Sequence, residues 1–204
     1  MLEVLNNTRK NKVPIDLIQQ AIKTGTRGSG VTAGTGPAGE SAYVFNGTAN
    51  AYFEFPFSAQ NTFQFINKPF ELEAVLFLTS TASMELLGNL VNSSGASDWA
   101  MTMNNTYQVI SKLSLDGRQG GVIVRNRYAV SAEKLPTNKW FNLKLRRRTN
   151  MTTMDLLIDN VIVSTLTGTG LWDLQTSNPF RIGASVDGAF PITGTMAKLT
   201  VTML

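Results

Sequence analysis

Glu71 and Glu73 are the first residues in this chain whose types and spacing could do chemistry. They stand two apart in the run FELEAVLFLT, residues 70–79, so on a strand they share one face. Two carboxyls held about 5–5.5 Å apart are what retaining glycoside hydrolysis needs. The competing reading is two solvent-facing charges that guard a sticky strand against aggregation. Little other catalytic apparatus exists, because the chain has Cys 0 and His 0. That removes a Cys/His zinc site, a Ser-His-Asp triad and a cysteine nucleophile, together with the usual group that titrates near neutral pH. GTRGSG and GTGPAG lack the Lys-Ser/Thr ending and the preceding strand of a phosphate loop.

The remaining candidates are for binding. Trp99 and Trp172 lie close to loop segments, GASDW and GTGLWDL, and with Tyr107 and Tyr128 they are the candidates for a glycan-contacting edge. Each also has a bland reading as a core aromatic. Arg146, Arg147 and Arg148 follow Lys139 and Lys144 without an intervening acid. Such a basic cluster could meet an acidic glycan or partner. Alternation along a strand points neighbouring side chains apart, so a solvated hairpin tip is the simpler reading.

These residues must be positioned by a chain that is 43% hydrophobic and 16% charged, enough for a real core. The net charge is +4 with a pI near 9.5, weaker than a dedicated nucleic-acid footprint, so nucleic acid is not the expected partner. No run of eighteen apolar residues is present, so no transmembrane helix is expected. The first residues lack the apolar core and cleavage site of a secretory signal.

Residues 1–40 read as an N-terminal anchoring arm and flexible linker, and residues 41–204 as one β-sandwich. In VPIDLIQQAIK, Val13, Leu17, Ile18 and Ile22 follow helical spacing, after Pro14 and before Gly25. So short a helix is marginal alone and must dock, on the sandwich or on another chain. The next segment, 24–40, is Gly/Ser/Thr-rich and reads as a tether. From Ala42 onward the segments alternate as strands, with Phe141, Leu143 and Leu145 on one face of KWFNLKLRR. FELEAVLFLT is apolar enough to be expected buried on both faces. Asp159-Asn160 between two apolar runs predicts a tight hairpin.

Five segments then fall in one order: AYVFNGTANAYFEF (42–55), FELEAVLFLT (70–79), LPTNKWFNLKLRRR (135–148), LLIDNVIVS (156–164) and FRIGASVDGAFPITGTMAKLTV (180–201). This order resembles the laminin-G-like, or concanavalin A-like lectin/glucanase, family. The resemblance implies an all-β, concanavalin-like jelly-roll sandwich of two antiparallel sheets. It implies a core place for Trp140. It also implies that a hydrolase of this kind would carry a third acid where Val75 stands. Family calcium sites use rim acids, and here Asn46, Ala197 and Lys198 occupy such points. Calcium is therefore not expected, although Asp98, Asp116, Asp159, Asp173 and Asp187 could ligate it if they are not simple turn-formers. No cofactor or metal is expected.

The expected function is non-enzymatic. It is a structural or attachment component of a bacteriophage particle, multi-copy or oligomeric, assembled in the host cytoplasm. Its arm would dock on a neighbouring virion protein through Val13, Leu17, Ile18 and Ile22, and its sandwich would project toward host-surface polysaccharide. The alternatives are a carbohydrate-binding lectin module outside a virion and a glycan hydrolase.

Overall fold

The computed structural model describes residues 13–55, 67–80, 82, 84–88, 99–104, 112–119, 122–129, 135–167 and 179–204. Alternation of apolar and polar residues produces fifteen strands in this stretch: β1 (Ile15–Asp16), β2 (Thr26–Arg27), β3 (Val31–Thr35), β4 (Ser41–Asn46), β5 (Phe53–Phe55), β6 (Phe70–Leu78), β7 (Met84–Gly88), β8 (Trp99–Asn104), β9 (Lys112–Gln119), β10 (Val122–Ala129), β11 (Trp140–Arg147), β12 (Thr153–Ile158), β13 (Val161–Thr167), β14 (Phe180–Ile182) and β15 (Thr193–Met203). One helix, α1 (Leu17–Thr24), lies among them.

The strands form two antiparallel sheets. The eight-stranded sheet runs β13-β12-β11-β6-β15-β4-β3, with β1 added beside β15; the seven-stranded sheet runs β10-β9-β8-β7-β14-β5-β2. Their apolar faces meet in one continuous core. Leu72, Leu76, Phe141, Leu145 and Val201 come from the first sheet, and Phe53, Phe55, Leu87, Phe180 and Ile182 from the second. The all-β sandwich expected from the sequence is what the chain forms. β6 differs in one respect: Phe70, Leu72, Ala74, Leu76 and Leu78 are buried while Glu71, Glu73, Val75 and Phe77 are half-exposed. One face of β6 is thus core and the other meets solvent. The apolar run hid this because Val75 and Phe77 sit on the solvent side.

The predicted tight turn is present, with Asp159 and Asn160 at φ 50° and 67°. Positive φ at both central residues is the twist-matched hairpin geometry, which Asp and Asn tolerate.

The segment read as arm and linker sits differently. Asp16 caps α1 by accepting a 3.0 Å hydrogen bond from the Gln19 amide. Leu17, Ile18 and Ala21 are buried in the common core. The helix packs on β15 of one sheet and β5 of the other. β2 then pairs with β5, and β3 pairs with β4 from Val31↔Phe45 to Thr35↔Ser41. Composition suggested a tether because the segment is rich in glycine. Several of those glycines serve close approach instead. A Cβ on Gly25 would lie 2.0 Å from the Glu54 carbonyl oxygen, and one on Gly28 would lie 2.2 Å from that of Asn50. Of the arm candidates, Leu17 and Ile18 are core residues, while Val13 and Ile22 remain exposed. Residues 1–12 lie outside the described residues.

Candidate functional sites on the two outer faces

The outer face of the eight-stranded sheet carries the two glutamates, and register surrounds them with cations. Arg146 stands opposite Glu71 and Lys144 opposite Glu73 on β11. Arg146 donates to Glu71 through Nε at 2.9 Å, and its Nη2 lies 2.8 Å from the same oxygen. Lys144 lies 3.6 Å from both carboxylates. On the other side, Lys198 of β15 pairs with Glu73, while Asn142 donates to its second oxygen at 2.6 Å. Burial works to raise the Glu73 carboxyl, but the hydrogen bonds from Lys198 and Asn142 and the nearby ammonium charges outweigh it and hold it below the usual carboxylate range. A general acid in glycoside hydrolysis needs the opposite shift. Glu73 is thus built to stay ionised.

The three arginines do not form a patch. Arg146 binds Glu71. Arg147 is fully buried and donates to the Met151 carbonyl at 3.1 and 2.8 Å, closing the turn between β11 and β12. Arg148 forks onto Asp155 with two bonds of 2.7 Å. That contact, with a 2.8 Å bond from Thr165, keeps the buried Asp155 carboxyl below its usual range although burial opposes it. Sequence spacing showed the cluster but not its partners, which lie on β6 and across the turn on β12. Trp140, given a core place by the resemblance, lies half-buried on this outer face, packed on Phe77 with ring centroids 5.6 Å apart. It stands opposite Phe77, in the row set of Lys144 and Arg146, which is the solvent-side set of β11.

The outer face of the seven-stranded sheet is organised around a second arginine. Arg181 stands opposite Glu54 and donates to it through Nε at 2.7 Å. Its Nη1 donates to the Ser185 carbonyl at 3.0 Å, and its guanidinium lies 3.8 Å from the centre of the Tyr52 ring, a cation–π contact. On its other side Arg181 faces Gly88, which faces Ala100, which faces Asp116, which faces Arg125. Sequence reading missed Arg181 and Glu54 because 127 residues separate them. Only the FRIG and YFEF segments of the resemblance could have brought them together.

Trp99 opens β8 opposite Gly117, in the alternate set that contains the buried Met101. Tyr128 stands on β10 opposite Leu113 in the corresponding set. Neither position belongs to the Arg181–Arg125 row. Trp172 and Tyr107 lie outside the described residues, as do Asp98 and Asp173. Asp159 accepts a 2.8 Å bond from the Asn142 amide, and Asp187 accepts from Ser185 Oγ and the Ala189 amide. Both shape turns, as their residue type favours.

No family model and no curated protein matches the chain. Solved structures match its fold. Domain 4 of the GH43 extracellular arabinanase AbnA from Geobacillus stearothermophilus, in complex with arabinotriose, aligns over 88% of this chain and 80% of its own at 15% identity, TM-score 0.59. The CBM40 of a Ruminococcus gnavus IT-sialidase, bound to α2,3-sialyllactose, aligns over 69% and 78% at 15% identity, TM-score 0.52. This protein has a jelly-roll β-sandwich fold. The binding domain of Paraclostridial Mosquitocidal Protein 1 shares the jelly roll over 88% of this chain and 44% of its own, at 10% identity and TM-score 0.57.

Proposed function

We propose that this jelly roll is a non-catalytic glycan-binding domain. The observation that carries the reading is the row across the seven-stranded sheet. There Arg181 is fixed by Glu54, the Ser185 carbonyl and the Tyr52 ring and stands in register with Gly88, on a fold shared with domains seen with arabinotriose and sialyllactose. Sugar recognition needs fixed donors and acceptors beside room for a ring. The acids that hydrolysis would use, Glu71 and Glu73, are instead committed to Arg146, Lys144 and Lys198. Trp172 and Tyr107 remain candidates for additional contacts. A glycan array followed by calorimetry tests the reading. Saturable binding to an oligosaccharide without release of smaller sugars is expected, and a blank array at high protein concentration counts against it.

A second reading places the protein, in several copies, in a phage particle as an attachment component. What favours it is Val13, before the docked helix, and Ile22, within it, which stay 49% and 46% exposed. Large apolar side chains so exposed near the chain's first residues suit contact with another virion subunit. Light scattering on the full chain and on a Val13→Ser, Ile22→Ser double variant tests it. An oligomer lost in the variant supports the reading, and two monomers oppose it.

A further inference from the structure

We propose that the solvent face of the eight-stranded sheet carries a second sugar-contacting surface, a shelf that runs from Trp140 across Phe77 and Thr195 to Val44 and takes a neutral oligosaccharide. The proposal rests on the glycan-binding reading and adds to it a site on the opposite face of the sandwich. Its first support is where the aromatics stand. Register places Trp140 opposite Phe77, Phe77 opposite Thr195 and Thr195 opposite Val44. All four are half-exposed, while their chain neighbours Phe141, Leu76, Met196 and Phe45 are buried in the core. Trp140 and Phe77 pack on each other with ring centroids 5.6 Å apart. Large aromatics are normally spent on the core. Two of them side by side on the solvent face of a sheet offer an apolar platform on which the C–H face of a sugar ring can pack.

The second support is a set of polar groups one step along the same face. Residues two apart on a strand share a side. Asn142 and Val75 therefore lie beside Trp140 and Phe77, and Lys198 stands opposite Val75. Glu73 accepts from the Asn142 amide at 2.6 Å and from the Lys198 ammonium, with Lys144 3.6 Å away. Lys198 still keeps 41% of its side chain exposed. Asn142 Oδ1 lies out of solvent and has no hydrogen-bond partner among the described residues. A buried acceptor without a donor costs free energy that a ligand can recover. A sugar hydroxyl placed between Trp140 and Lys198 is such a donor. These groups hold one another before any ligand arrives, so little freedom is lost on binding.

The third support is shape and charge. Trp140 and Val44 stand three strand spacings apart, about 14 Å, with the small Thr195 next to Val44 beyond the ring of Phe77. On the neighbouring β3, a Cβ at Gly34 would lie 2.8 Å from a Val44 methyl and 3.7 Å from the Thr195 methyl, so a glycine there leaves both methyls their places. The result is a low floor beside an aromatic wall, long enough for more than one sugar ring. The ions next to it answer one another, Glu71 and Glu73 with Lys144, Arg146 and Lys198. The shelf therefore offers apolar contact and hydrogen bonds rather than an unanswered charge, which suits a neutral sugar.

Calorimetry and methyl NMR on the full chain with cellotriose, arabinotriose and 3′-sialyllactose test the proposal. At least one of the two neutral sugars should bind and should shift the Val44 and Val75 methyl resonances. Trp140→Ala should weaken that sugar by about fivefold, the worth of one aromatic stacking contact, and Trp140→Phe should recover part of the loss. An unchanged melting temperature is the control for folding. Should Trp140→Ala not fold, the methyl shifts of the parent chain decide the site. Sugar binding that leaves both methyls unmoved and survives Trp140→Ala, but is lost in Arg181→Lys, would overturn the shelf while leaving glycan binding on the other sheet intact. Binding of 3′-sialyllactose alone would overturn the neutral ligand class. If no sugar binds at all, the underlying glycan-binding reading fails and the shelf fails with it.

Discussion

Arg148 closes over Asp155 with two hydrogen bonds of 2.7 Å, the arginine half in solvent and the carboxylate 1% exposed. Thr165 gives the same carboxylate a third bond from the neighbouring strand. These contacts hold the acid ionised in the folded chain more firmly than in the unfolded one, with a folded pKa depressed below the unfolded value of about 3.9. Its stabilising effect is complete above that unfolded value and is lost as pH falls through the folded pKa. Asp155→Asn should lower the melting temperature at pH 7 and flatten its fall in acid, as thermal scans between pH 2 and pH 7 would show. An unaltered acid limb in the variant would contradict the assignment.

Arg147 is the buried member of the arginine run. Arg147→Ala should cost about 3 kcal/mol, combining a cavity with a turn carbonyl that loses its donor. Urea unfolding measures it. A change within 0.5 kcal/mol, the range of ordinary surface substitutions, would mean that the side chain is not where the structure places it.

The helix is part of the sandwich in stability terms. Leu17→Ala should cost about 3 kcal/mol as a buried large-to-small change. Removing residues 1–30 should do more, because it takes away β1, α1 and β2 and uncovers the core between β5 and β15. Denaturant titration of the truncated chain should show a lower midpoint. A truncated chain as stable as the whole would restore the picture of a free arm.

Glu71→Gln and Glu73→Gln address hydrolysis and stability together. No sugar release is expected from the parent chain. Each variant should be less stable at neutral pH, since each leaves at least one half-buried cation without its carboxylate. The Glu73 contribution, like that of Asp155, should vanish in acid, because its folded pKa is also depressed. Activity in the parent chain that either substitution abolishes would reverse the non-catalytic reading.

Much of the fold was legible because alternation is a local signal. KWFNLKLRR put Phe141, Leu143 and Leu145 on the core side, and all three are buried. Asp159-Asn160 marked its hairpin through the rare backbone those residues accept. What escaped was long-range. Nothing local says that Gly25 and Gly28 let the chain press against β5 and the Asn50 backbone, so glycine read as freedom. The periodicity of α1 showed an apolar face but not that its own two sheets would cover it. The Arg181–Glu54 pair was invisible for the same reason, since the two become neighbours only through strand register.

Saturation-transfer difference NMR on the full chain, with sialylated and arabinan-derived oligosaccharides, probes binding and cleavage in one sample. A non-catalytic glycan-binding domain transfers saturation to sugar protons while the sugar spectrum stays constant for days. Absence of transfer to every sugar, or growth of new reducing-end anomeric signals, would contradict that function.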